Sequence, residues 1–149
     1  MRIVSVVESL RDRVGEAIGV SEWFTISQER IQQFADATDD QQWIHVNADK
    51  AATGPFGTTI AHGFLTLSLI PALAPGLDLP GVRMGVNYGL DRVRFISPVP
   101  SGSRIRAHSK LLSVDEVPGG VQAKIEVTIE LEGSEKPACV AETLTRLYL

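Results

Sequence analysis

Residues 62–74 read HGFLTLSLIPALA, a stretch with no aspartate, glutamate, lysine or arginine and with apolar side chains on nearly every helical face. Its length favours helix over strand, and an all-round apolar helix is one buried on all sides. Pro71 removes one internal hydrogen bond, so a bend or an early end is expected there. Such a helix needs cover on every side. The remainder of the chain is predicted to supply it as a sheet with flanking helices.

Downstream, from about residue 83, the period changes to two. Val121, Ala123, Ile125, Val127, Ile129 and Leu131 alternate with Gln122, Lys124, Glu126, Thr128, Glu130 and Glu132, which is a strand with one wet face. Ile105, Ala107 and Leu111 alternate with Arg104, Arg106, His108 and Lys110 in a second strand. Arg83–Ile96 and Ala138–Tyr148 supply two more, with hairpin turns expected at Pro118-Gly119-Gly120 and Gly133-Ser134-Glu135. Pro75, Gly76, Pro80 and Gly81 mark a loop before them. The predicted fold class is α+β, an antiparallel sheet of about four strands wrapped around one long central helix.

Upstream, Ile3, Val6, Val7, Leu10 and Val14 recur at helical spacing, and Gly15 and Gly19 are expected to end that helix. Trp23–Ile26 reads as a short strand. Ser27 is a good N-cap, with Glu29 in the first turn of a helix over about 28–37 that buries Ile31, Phe34 and Ala35. A short helical turn is expected over Ala48–Ala52. With 149 residues, 44% hydrophobic and 21% charged, the chain is predicted to be a single domain over 1–149 with a real core. A net charge of −4 argues against a nucleic-acid partner. The single cysteine, Cys139, excludes an internal disulfide and a multi-cysteine metal site, and its alternating segment makes it a packed small residue instead of a reactive thiol. The charged start and the lack of a long uncharged apolar run predict no secretory leader and no membrane span, hence a cytoplasmic protein.

Between the two halves lies the chemistry. Phe34–Gly63 holds His45, His62 and, five residues before the first, Asp40. On a continuous helix, positions five apart diverge by about 140°. Asp40 and His45 can therefore share a target only from irregular structure, which Thr38, Asp39, Asp40 and Asn47 favour because such side chains bond the local backbone. A carboxylate and an imidazole converging from one loop make an acid/base pair. Thr58–Gly63 leads into the apolar helix, where free backbone N–H groups favour negative charge and Gly63 lets a ligand carbonyl approach. Together these parts suit adding water to, or removing it from, the carbon β to a polarised carbonyl. The alternatives are that Asp40 is a cap or turn residue and His45 a buried structural histidine, and that His62 serves the helix start. Arg92, Arg94, Arg104, Arg106 and Lys110 either bind phosphate or are a solvated strand face.

Phe34-Ala35-Asp36-Ala37-Thr38-Asp39-Asp40-Gln41-Gln42-Trp43-Ile44-His45, followed by Phe56–Phe64, resembles the hydratase motif of the MaoC-like (R)-specific enoyl-CoA hydratases. Asn87–Phe95 is similar to the NodN-like, mycobacterial-type single-domain branch. The resemblance implies a hot dog fold assembled as a homodimer and a hydratase/dehydratase acting on 2-enoyl thioesters in fatty acid metabolism. It implies coenzyme A or acyl carrier protein as the carrier and no metal or other cofactor. It implies that Asp40 and His45 activate one water and that the Gly63 N–H binds the thioester oxygen. Trp43, Phe56, His62, Asn87 and Arg94 are the candidate substrate contacts. Asp39, Gln42 and Trp43 stand where the family usually has Gly, Asn and Pro, so a positive φ at position 39 would be borne by an aspartate. The competing functions are a thioesterase on the same fold and a non-catalytic acyl-thioester-binding subunit.

Overall fold

The computed structural model describes residues 3–74, 77 and 79–149; Pro75 and Gly76 of the expected loop lie outside them. In chain order the elements are α1 (Ile3–Arg11), β1 (Ala17–Val20), β2 (Phe24–Thr25), α2 (Gln28–Thr38), α3 (Trp43–Val46) and α4 (Ala48–Ala52). They continue with α5 (Gly63–Ser68), α6 (Ile70–Leu73), β3 (Met84–Phe95), β4 (Arg104–Val117), β5 (Gly120–Leu131) and β6 (Cys139–Tyr148). The strands form one antiparallel sheet in the order β1-β4-β5-β6-β3, with β2 also pairing β4. Val117 faces Gly120 across the β4–β5 hairpin, and Gly119 sits between them at φ +81°, as the third position of a Pro-Gly turn requires.

The period-two pattern places Ile105, Ala107 and Leu111 of β4 and Val121, Ala123, Val127 and Ile129 of β5 on one buried face. Two helical layers cover that face. Leu65 of α5, Leu69 at the joint, and Ile70 and Leu73 of α6 pack on Ile105, Ala107, Val127, Ile129 and Ala141, together with Ile31 of α2. Val6, Val7 and Leu10 of α1 pack on Leu111, Val114, Val121, Ala123 and Leu147. Ile125 touches both clusters. The opposite face is polar, with Arg106 bonded to Glu130 at 2.8 Å. The fold is therefore the α+β hot dog arrangement, a sheet wrapped around a central helix.

The interruption expected around Pro71 is present, and two other details differ from the sequence expectations. The central helix is two pieces, α5 and α6, joined at Leu69 (φ −80°, ψ −10°) just before Pro71, whose missing N–H cannot continue the ladder. It is also not covered on every side by its own chain, because Phe64, Ser68, Pro71 and Ala72 face outward and Phe64 is 67% exposed. The first helix ends at Arg11, before Val14 and Gly15. The Gly15 N–H donates to the Leu111 carbonyl at 2.8 Å, which draws the chain onto β4 as β1, with Gly19 inside that strand at a bulge.

Candidate active site

Asp40 and His45 belong to one tight excursion of the chain. Ser27 caps α2 by accepting the Arg30 N–H, and α2 ends at Asp39, which adopts the left-handed conformation (φ 60°, ψ 25°). Among the described residues it is the one non-glycine with positive φ, at the position where a helix most often ends on glycine. The turn lets the Asp40 N–H donate to the Ala35 carbonyl at 3.1 Å. Only Asp40–Gln42 remain irregular, because His45 already lies on the short helix α3. Asn47 ends α3 and caps α4 by accepting the Lys50 N–H, so its turn propensity is used for capping.

The extended segment Thr59–Ala61 is the spine against which these residues are set. The Ile60 N–H donates to the Ile44 carbonyl at 3.0 Å, and the Ala61 N–H to the Val99 carbonyl at 2.8 Å. His45 Nδ1 lies 2.7 Å from the Ile60 carbonyl oxygen. A carbonyl only accepts, so Nδ1 carries the proton and Nε2 of the neutral ring keeps its lone pair. His45 is 6% exposed, and burial lowers its pKa below the usual value, with the neighbouring His62 adding to this. The Ile60 hydrogen bond and Asp40 act in the opposite direction. The net result is a neutral, basic imidazole at neutral pH.

One carboxylate oxygen of Asp40 and one ring nitrogen each of His45 and His62 all lie within 4.8 Å of one another. A single water can bridge two acceptors at that separation. The same three groups are the ones that could ligate a cation. However, the His45 and His62 rings are stacked at 3.8 Å with 21° between their planes, which sends their in-plane lone pairs side by side, not to one point.

Beside His45 opens a cleft of about 260 Å³, lined by Phe56, Gly63, Thr66, Phe95, Ile96 and Val99 among others. Gly63 starts α5, and no acceptor among the described residues takes its N–H. A Cβ built at Gly63 would stand 2.8 Å from the Phe95 ring. The missing side chain therefore makes room for Phe95, where sequence reasoning expected room for a ligand carbonyl. A larger recess of about 360 Å³ on the outer sheet face is lined by His108, Thr128 and Glu130, away from Asp40 and His45.

The other sequence candidates are scattered. Phe56 lines the cleft. His62 is 2% exposed and sits against His45, not in the cleft lining. Trp43 packs on Gly54, under Lys50 at 4.7 Å from its ring. Asn87 and Arg94 are exposed on β3 outside the cleft lining, and Arg94 donates to the Val93 carbonyl. Arg104 and Arg106 are paired with Glu132 and Glu130 and lie over the Trp23 ring, as a strand face would have them. Sequence reasoning missed Gln28. Its Nε2 donates to the His45 carbonyl at 2.8 Å, and its Oε1 accepts from the Thr59 hydroxyl at 2.5 Å. A polar residue one position past an N-cap gave no signal for such long-range contacts.

With this geometry in view, similarity to known proteins becomes informative. Residues 9–133 match the model of the MaoC like domain. The chain is 53% identical over 148 residues to 3-hydroxyacyl-thioester dehydratase Z of Mycobacterium tuberculosis, covering 98% of each. It is 49% identical over 139 residues to nodulation protein N of Rhizobium leguminosarum bv. viciae, covering 89% of this chain and 85% of that one. The solved structure of the (R)-hydratase from A. caviae involved in PHA biosynthesis matches with a TM-score of 0.74 at 25% identity, covering 90% of this chain and 96% of that one. A match over most of the chain, on relatives of nearly the same length, makes this protein a member of the MaoC-like family of hydratases and dehydratases.

Proposed function

We propose that the protein is a hydro-lyase of acyl thioesters in fatty acid metabolism. It adds water to a trans-2-enoyl-CoA or carrier-protein thioester to give the (R)-3-hydroxyacyl thioester, and it runs the dehydration in reverse. The observation that carries this is the His45 tautomer. Nδ1–H is held by the Ile60 carbonyl, leaving Nε2 as the free base of a ring that has one nitrogen within 4.8 Å of an Asp40 carboxylate oxygen and that lines a cleft. Asp40 orients a water and His45 Nε2 takes its proton as the oxygen adds to C3. The C2–C3 electron pair moves into the thioester carbonyl, whose developing negative charge accepts the Gly63 N–H. The enolate then closes by taking the proton back from His45 at C2. The sum is one water gained with no change of oxidation state, so the reaction calls for no redox cofactor. We infer no metal requirement either, because the carbonyl charge is met by a backbone donor.

A homodimer in the cytoplasm fits the surface. The edge strand β3 exposes Met84, Val86, Tyr88, Leu90 and Phe95 next to exposed Phe64, and a second copy would cover that edge. Among the described residues no helix is long and apolar enough to cross a membrane.

The test is loss of enoyl-thioester ultraviolet absorbance with crotonyl-CoA and longer 2-enoyl-CoAs, using wild type, Asp40→Asn and His45→Gln. Wild type is expected to turn over, with each variant about 10²-fold slower or worse. Release of free coenzyme A would instead identify a thioesterase, and retention of unchanged substrate a binding subunit.

A further inference from the structure

His62 is a polar side chain almost wholly buried, with Nδ1 touching no hydrogen-bond partner among the described residues. Leaving that nitrogen buried and unpartnered is destabilising. The surroundings would suit an apolar ring, since Phe34 packs on the same imidazole at 4.9 Å. A histidine kept at such a cost needs a contact that phenylalanine cannot make. His62 has one. Its Nε2 lies 3.0 Å from the Asp40 carbonyl oxygen, so Nε2–H is the donor, and the Asp40 carboxylate lies 3.9 Å from the same nitrogen. The face of the ring is stacked on His45. A single side chain, arriving from the entrance to α5, thus touches both members of the Asp40–His45 pair, which reach it from the end of α2 and from α3.

We propose that His62 is the positioning residue of the site: its Nε2–H holds the Asp40 main chain and its ring face fixes the plane of His45, so that carboxylate and imidazole stay at the separation one water bridges. His62 touches neither substrate nor water in this role. The inference rests on the hydratase function only for its kinetic readout.

Three variants separate the two contacts. His62→Phe keeps a stacking ring and deletes the donor; His62→Gln keeps an N–H of similar reach and deletes the ring; His62→Ala deletes both. Positioning predicts that kcat on crotonyl-CoA falls about 10-fold in the Phe and Gln variants and about 10²-fold in Ala, while KM moves less than about threefold. Each conservative variant therefore rescues part of the alanine loss. The Phe variant is expected to melt no lower than wild type, since the orphan nitrogen is gone, and still to be slow. Packing alone would make activity follow the melting temperature, with Phe as good as wild type, and that result overturns the proposal.

The second readout needs no turnover. In spectra of ¹⁵N-histidine-labelled protein, His45 of the wild type is expected as the Nδ1-protonated tautomer. The Ile60 carbonyl keeps that tautomer in every variant, but in the Gln and Ala variants losing the stack frees the ring to rock, so the His45 ring resonances are expected to broaden by exchange. His45 resonances as sharp as those of the wild type in those variants refute the positioning role even if the wild type proves inert on every enoyl thioester. Inert wild type with broadened His45 resonances in the variants would sink the hydratase function and leave the role of His62 standing.

Discussion

One methyl group added at Gly63 should separate activity from stability. The new Cβ would lie 2.8, 2.9 and 3.0 Å from three atoms of the Phe95 ring. Ordinary carbon–carbon contact begins near 3.5 Å, so the ring must withdraw by about 0.7 Å. It has room to do so, because Phe95 is 47% exposed and rests edge-on against Phe64, itself 67% exposed, at 5.7 Å. Weakening that aromatic pair or pushing the ring off its rotamer costs about 0.5–1.5 kcal/mol. Against this, alanine in a helix gains up to about 1 kcal/mol over glycine. The two nearly cancel, and a change of 1 kcal/mol moves the melting temperature of a chain this size by only about 2–4 °C. Catalysis has no such compensation. Phe95 and Gly63 are adjacent walls of the cleft, and a shift approaching 1 Å beside the proposed thioester-oxygen donor is expected to lower kcat/KM about 10²-fold. The assay is crotonyl-CoA hydration alongside a thermal melt of Gly63→Ala. A variant as stable as wild type and within about threefold of its kcat/KM would refute the placement of the reacting carbonyl at Gly63. A loss of more than about 10 °C would show instead that Phe95 is not free to yield.

Other consequences follow from single residues. Burial lowers the His45 pKa below its usual 6.5, and the neutral ring is the proposed base, so the acid limb of kcat/KM should inflect below pH 6.5. The same inequality acts on stability. As pH falls below 6.5 the unfolded chain takes the proton first, so the His45 share of folding stability is intact above 6.5 and is lost progressively down to the folded pKa, as denaturant melts at pH 7.5 and 5.5 would register. Asp39→Gly relieves a left-handed aspartate that also places negative charge at a helix C-terminus. After the entropy lost by glycine, a gain of about 0.5 kcal/mol is expected in urea melts, whereas Asp39→Val should lose more than about 1 kcal/mol. Cys139 is fully buried and its thiol pKa is pushed up to about 11, so it should resist thiol reagents until the protein unfolds.

Much of the fold was legible because its signals are local. Strands β4 and β5 alternate every second residue since one sheet face is wet, and α2 announced itself through the Ser27 cap. Strand β1 was hidden, because Ala17–Val20 is only four residues long and directly follows a helical pattern; what makes it a strand is the remote Leu111 backbone of β4. The break at Leu69 fell two residues before the proline responsible for it. In the site, the Asp40–His45 pair was visible as a spacing, but its supports were not. His62 meets Asp40 across 22 residues, and Gln28 meets His45 across 17. No periodicity encodes such contacts.

The five-residue spacing of the pair acquires its meaning from where the helix stops. Continued through residue 45, α2 would have turned His45 about 140° away from Asp40. The left-handed residue at position 39 ends α2, and α3 begins at Trp43 just after Gln42, so the spacing spans the end of one helix and the start of the next. That break also sorts the pair by environment. Asp40 stays at the turn with its side chain 48% exposed, while α3 carries His45 inward to 6% exposure against the Ile60 carbonyl. A carboxylate in contact with water beside a desolvated, neutral imidazole is the arrangement that lets one residue hold a water molecule and the other deprotonate it. A glycine at position 39 would make the same turn with less strain. What aspartate preserves is the geometry, so the proposed division of labour between Asp40 and His45 is compatible with Asp39, one of the three positions at which this chain departs from the motif.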